Sequence, residues 1–84
     1  MLLADGFDEA FVGTSYRFHD GPLATYDTQM CISILMTRDG MTEEEAQEFF
    51  EYNVLGAWVG EQTPVFLEPM TLAEAIEDEE EEDE

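Results

Sequence analysis

Only two basic residues, Arg17 and Arg38, stand against 22 carboxylates in this 84-residue chain, which leaves a formal net charge of −20. Such a charge opposes compaction by self-repulsion, and it repels nucleic acid and anionic membrane surfaces. It attracts basic surfaces, and the commonest of these in a cell belong to proteins that grip DNA or RNA. The chain nevertheless has the means to fold. Hydrophobic residues make up 44% of it, with six Phe, three Tyr and one Trp, too rich for a wholly disordered polymer. One small domain is expected, near the size at which a single core just suffices, with apolar residues inside and carboxylates outside.

The charge is uneven. Nine of the eleven residues from Glu74 to Glu84 are Asp or Glu, while residues 1–73 hold 13 acids and 2 bases, a formal −11. The expected division is a single domain over residues 1–73 and an acidic tail over 74–84, solvated and mobile from Glu77 onward. The body is acidic without its tail. A lone Cys31 can form neither an internal disulfide nor a thiolate metal site. No basic segment precedes an apolar stretch at the start, and apolar runs fall well short of the roughly 20 residues of a membrane span. A soluble, reducing, cytoplasmic setting is therefore expected. Two basic residues also leave almost nothing with which to bind nucleic acid directly.

Residues 7–18 mix aromatic and β-branched positions. As a strand they place Val12, Thr14, Tyr16 and Phe18 on one face, with Phe11, Gly13, Ser15 and Arg17 on the other. His19-Asp20-Gly21-Pro22 is dense in turn formers, and Leu23–Tyr26 can return as a second strand. Asp27 or Thr28 can cap a helix to about Arg38, with Met30, Cys31, Ile34 and Leu35 as a buried stripe widened by Ile32 and Met36. Gly40 suits the C-terminal cap. Thr42-Glu43-Glu44-Glu45 matches a capping box, and three Glu in the first turn favour the positive end of the helix dipole. Ala46, Phe49, Phe50, Asn53 and Ala57 trace one face of that helix, expected to end near Trp58–Gly60. Gly56 within it suggests close backbone packing. Thr63–Leu67 reads as a third strand, at an edge because of Pro64. Thr71 can cap a short final helix through Leu72, Ala73, Ala75 and Ile76. The order is β-β-α-α-β with an acidic tail, an α+β sheet with helices packed on one face.

Several strings in this order resemble a group of small proteins encoded by phages and bacterial genomes. They are Leu23–Asp27 (LATYD), Cys31–Met36 (CISILM), Asp39–Ala46 (DGMTEEEA), Phe49–Asn53 (FFEYN) and Gly56–Phe66 (GAWVGEQTPVF), and many members begin with a segment similar to Asp5-Gly6-Phe7. The resemblance covers about residues 4–67. It implies a phage or mobile-element context and transfers no catalytic or binding residue. The acidic tail is not a general feature of the group.

Catalytic sets are hard to assemble from these residues. His19 is the only histidine and falls in an expected exposed turn, where a turn role is the ordinary one. Cys31 lies on an apolar stripe, where a small buried hydrophobe is ordinary and no cation is at hand to favour thiolate. Abundant carboxylates give no specific pair, an 84-residue chain leaves little room for a glycosidase cleft, and no stretch follows the ligand spacing of an EF-hand. A small-ligand fold using the Asp20-Gly21-Pro22 turn also lacks a catalytic set. The chain is read as a non-enzyme without metal or cofactor.

What remains is binding. Glu44, Glu48 and Glu51 share an outer helix face by i, i+4 and i, i+3 spacing, and like charges so placed disfavour a helix unless something gains from them. With Glu43 they form the foremost candidate surface; Asp5, Asp8, Glu9 and Asp39 are secondary, and Tyr52 or Trp58 can supply an aromatic anchor. Carboxylates on a rigid body can reproduce part of the phosphate pattern of DNA, a charge about every 1.7 Å of axis. The expected function is therefore an acidic phage-type inhibitor that mimics nucleic-acid charge toward a basic DNA- or RNA-binding host protein in defence, repair or nucleoid organisation. This analogy rests on charge, size and inferred origin. The alternative is a small acidic adaptor or structural subunit of a phage replication or transcription assembly. The sequence leaves the oligomeric state open, a homodimer included.

Overall fold

In the computed structural model, which describes residues 1–57 and 59–82, the chain runs β1 (Phe11–Arg17), β2 (Asp20–Asp27), α1 (Thr28–Asp39), α2 (Glu43–Phe49), β3 (Val65–Leu67) and α3 (Leu72–Glu82). A 3₁₀ turn at Asp8–Ala10 precedes β1, and a π-helical segment, Phe50–Leu55, continues α2. The sheet order is β1-β2-β3, with β1 antiparallel and β3 parallel to the central β2. The parallel pairing needs a crossover, and α1 and α2 together provide it. The fold is a small α+β domain.

The hairpin differs from the sequence expectation in two ways. Arg17 pairs with Asp20, so the turn is Phe18-His19, and Gly21-Pro22 lie inside β2. Pro22 is tolerated there because an extra β2 residue interrupts the ladder opposite Ser15–Arg17, and β3 pairs only with Thr25–Asp27. The second difference is a bulge in β1. Phe11 pairs with Tyr26 and Gly13 with Thr25, which leaves Val12 as an extra residue. The bulge shifts the side-chain alternation by one. Phe11 thus meets the Tyr26 ring edge-on at 5.6 Å, while Ser15 hydrogen-bonds Thr25 on the opposite face. Phe11 and Ser15 do not share a face.

Helix α1 begins where expected. The Asp27 carboxylate accepts from the Met30 amide at 3.1 Å. It ends at Gly40, whose φ of 68° is the left-handed conformation that lets its amide reach the Leu35 carbonyl. Cys31 and Leu35 are wholly buried, Ile32, Ile34 and Met36 are half-buried, and Met30 is exposed rather than part of the core. Arg38 ties the N-terminal segment down. Its guanidinium donates to the Gly6 carbonyl at 2.7 Å and lies 5.6 Å from the centre of the Phe7 ring.

The second helix is shorter and turned differently from the expectation. α-Helical bonding stops at Phe49, and the following π turn closes at Gly56, whose amide donates to the Glu51 carbonyl at 3.1 Å. A Cβ on Gly56 would lie 3.1 Å from that same oxygen, so the close approach inferred for this glycine comes from its own preceding turn. The buried positions are Ala46, Phe50 and half-buried Val54, whereas Phe49, Asn53 and Ala57 are exposed. Phe50 packs edge-on against Phe66 of β3 at 5.2 Å, and Phe66 stacks on Tyr26 at 5.7 Å. Tyr26, only 1% exposed, accepts the Ala4 amide at its hydroxyl, so this aromatic chain joins β2, β3, the π turn and the N-terminus.

Helix α3 runs into the acidic block as far as Glu82, and the composition change at Glu74 falls within its first turn. Thr71 Oγ1 accepts from the Glu74 amide at 3.2 Å while Glu74 Oε1 accepts back from the Thr71 amide at 3.4 Å. This is a second reciprocal cap. Glu74 therefore helps to start a helix, a role assigned above to Thr71 alone.

Candidate acidic binding surface

The candidate surface is built on α2. The Thr42 hydroxyl accepts from the Glu45 amide at 3.2 Å, and Glu45 Oε1 accepts from the Thr42 amide at 2.9 Å. The capping box fixes the start of the helix and occupies Glu45. Ala46 and Phe50 anchor the other side in the core. Glu43, Glu44 and Glu48 are consequently left exposed on a helix held at its start and along its inner face, and Glu51 is exposed on the π turn that follows. Tyr52, 82% exposed, lines a shallow depression with Glu45, Glu48 and Met41. Trp58, the other proposed anchor, lies outside the described residues.

The secondary carboxylates are not gathered with these. Asp8 and Glu9 line a depression against Ile34, Thr37 and Arg38, whereas the α2 carboxylates Glu43 and Glu51 adjoin Ile32, Ser33 and Met36 of α1. The two groups meet different sides of α1. Asp39 is engaged by Arg38 through paired contacts of 3.1 and 3.0 Å, and that hydrogen bonding holds its carboxyl below the ordinary Asp value. Asp5 is exposed beside the Arg38-bound Gly6.

A groove of about 580 Å³ runs between α1 and the α2–π segment. Ile32, Met36, Phe50 and Leu55 line it, with Glu43, Glu51 and Glu68 among its polar residues. Sequence reading identified Glu43 and Glu51 but missed Leu55 and Glu68. Leu55 comes into the groove through the π segment, and Glu68 follows the last β3 residue, Leu67, which pairs with Asp27 just before α1. Neither relation carries a periodic signal.

His19 is exposed in the hairpin turn, with its ring stacked on Phe18 at 4.1 Å. Burial, and secondarily the Asp27 charge, push the Cys31 thiol up to about 11, which keeps it protonated. Among the described residues, no three His, Cys, Asp or Glu side chains come together to hold a metal ion. Also among them, no helix is long and apolar enough to cross a membrane. No family model, curated protein or solved structure matches this chain.

Proposed function

We propose that this chain is an acidic binding protein of phage type that presents carboxylates in place of nucleic-acid phosphates and so occupies a basic DNA- or RNA-binding protein of the host cytoplasm. The observation that carries this reading is the exposed set Glu43, Glu44 and Glu48 on the capped, core-anchored α2, with Glu51 exposed on the π turn that continues it. Presenting charges from an ordered helix costs less entropy on binding than presenting them from a loose chain. Ion pairs to the partner's Lys and Arg would supply attraction and speed of encounter, and Tyr52 would add apolar contact. The consequence for the partner is loss of nucleic-acid binding by competition.

An adaptor role in a phage replication or transcription assembly is the second reading. It is favoured by the acid-free stretch Ala10–His19, which exposes Val12, Tyr16 and Phe18 at 51%, 69% and 83%. Capture from a bacterial lysate separates the two. The immobilised full chain is expected to retain a nucleic-acid-binding protein at low salt, to release it at high salt, and to lose it to added duplex DNA or RNA. Recovery of phage assembly proteins indifferent to nucleic acid would favour the adaptor.

A further inference from the structure

We propose that the groove between α1 and the α2–π segment receives a basic amphipathic helix of the partner, apolar face inward. This deepens the mimicry reading and rests on it for the basic character of that partner. An apolar stripe of Ile32, Met36, Phe50 and Leu55 runs through it between the polar residues Gln29, Ser33 and Gln47. Ile32 and Met36 lie one helical turn apart on α1, Phe50 closes the base, and Leu55, 54% exposed, stands at the far wall. The α1 residues lining it run from Thr28 to Met36, about 12 Å at 1.5 Å per residue. That length matches apolar side chains at i, i+4 and i+7 of a docked helix, about 10.5 Å from first to last.

Charge complementarity selects the occupant. Glu43 lies just beyond the three-residue link from α1, Glu51 belongs to the π segment, and Glu68 follows β3; no basic residue lines the groove. A helix with Lys or Arg flanking its apolar stripe would meet carboxylates around the floor. The chain's own α3 has exposed apolar residues at Leu72 and Ile76, but seven of its eleven residues are acidic. A second copy brings another −20. Both would set carboxylate against carboxylate, which an apolar contact of this size does not offset. The proposed partner therefore carries its positive charge on a helix, and its docking combines the ion pairs of the α2 face with apolar anchoring.

The test uses two synthetic 14-residue peptides of identical Leu and Lys composition, one with Leu at i, i+4, i+7 and i+11, the other scrambled so that no apolar face forms. Each is titrated by calorimetry into the full chain. The amphipathic peptide is expected to bind about tenfold more tightly or better, a difference equal to the loss of a single apolar anchor. Leu55→Ser is expected to remove that advantage, and Glu68→Lys to weaken the amphipathic peptide further, with melting temperatures unchanged. Equal binding of the two peptides, no binding of either, or an advantage that survives Leu55→Ser would overturn the groove proposal. None of those outcomes touches the lysate capture, which tests mimicry with Leu55 and Glu68 intact.

Discussion

Helices α1 and α2 are neighbours joined by Gly40-Met41-Thr42, yet they do opposite things. α1 puts its side chains into the fold. Its only acid is Asp39, which Arg38 engages, while Cys31 and Leu35 are fully buried. Its first turn is capped by Asp27 and its last turn clasps the N-terminal segment. α2 has four acids among seven residues and buries Ala46 alone before the π turn brings in Phe50. One helix organises the core. The other is held by that core at two points and shows its carboxylates to solvent. In a chain with two basic residues, internal charge pairing cannot neutralise α2, so burial elsewhere has to tolerate its repulsion.

The sharpest test of that division lies at two adjacent phenylalanines. Phe50 is 2% exposed and packs on Phe66, whereas Phe49 is 39% exposed. Phe50→Ala is expected to cost about 3–5 kcal/mol, a large part of the stability of a domain this small, and Phe49→Ala less than half as much. Urea midpoints for the two variants measure the difference. Similar losses would mean that α2 is embedded on both sides and that its carboxylate face is not free.

This pair also marks how far the sequence could be read. The α1 stripe apart from Met30, both helix caps of α1 and the Thr42 capping box correspond to observed contacts, because each depends on residues within one or two turns. The period carried across Phe49, Asn53 and Ala57 did not survive, since the π turn resets the helical register after Phe49 and substitutes Val54. The hairpin faces failed for a parallel reason, a single extra residue at Val12. Both are local insertions into a regular ladder, and they accompany packing against Tyr26 and Phe66 from distant parts of the sequence. The second cap, Thr71 with Glu74, was legible in the same terms as Thr42 with Glu45, but the acidic run obscured it. Of the candidate surface, the i, i+4 spacing of Glu44 and Glu48 lies within α2, whereas the register reset after Phe49 comes before Glu51 and moves it beside the α1 groove. The groove needed the third dimension.

A smaller effect is expected at the start of α2. Thr42→Ala removes the hydroxyl that accepts the Glu45 amide and should lower stability by about 0.5–2 kcal/mol, with Thr42→Ser recovering most of it. A thermal melt of the two variants checks this. Loss of the cap should also weaken any binding that depends on an ordered α2, which links the structural and functional halves of the comparison.

A pH-dependent effect concerns α1 under alkaline conditions. The folded-state value of Cys31 is raised from 9.0 to about 11, by burial first and by Asp27 second. The folded state thus favours the protonated thiol. Its contribution to stability is complete below the unfolded value and is lost as pH rises from about 9 through about 11. Cys31→Ala should flatten that alkaline decline. Equal slopes in the variant and the parent chain, measured by urea denaturation from pH 8 to 11, would place Cys31 outside the core of α1.

The central claim is that the folded α2 face, rather than the acidic C-terminal run, carries the affinity. Surface plasmon resonance against the protein recovered by lysate capture tests it with two variants. One lacks residues 77–84; the other carries Glu44→Lys, Glu48→Lys and Glu51→Lys together, with circular dichroism confirming that it folds. Removal of the terminal acids should slow association, because it weakens long-range attraction, while leaving most of the affinity. The triple reversal should abolish binding. Full binding by the triple variant, with none by the truncated chain, would contradict the account and make the domain a carrier for its acidic end.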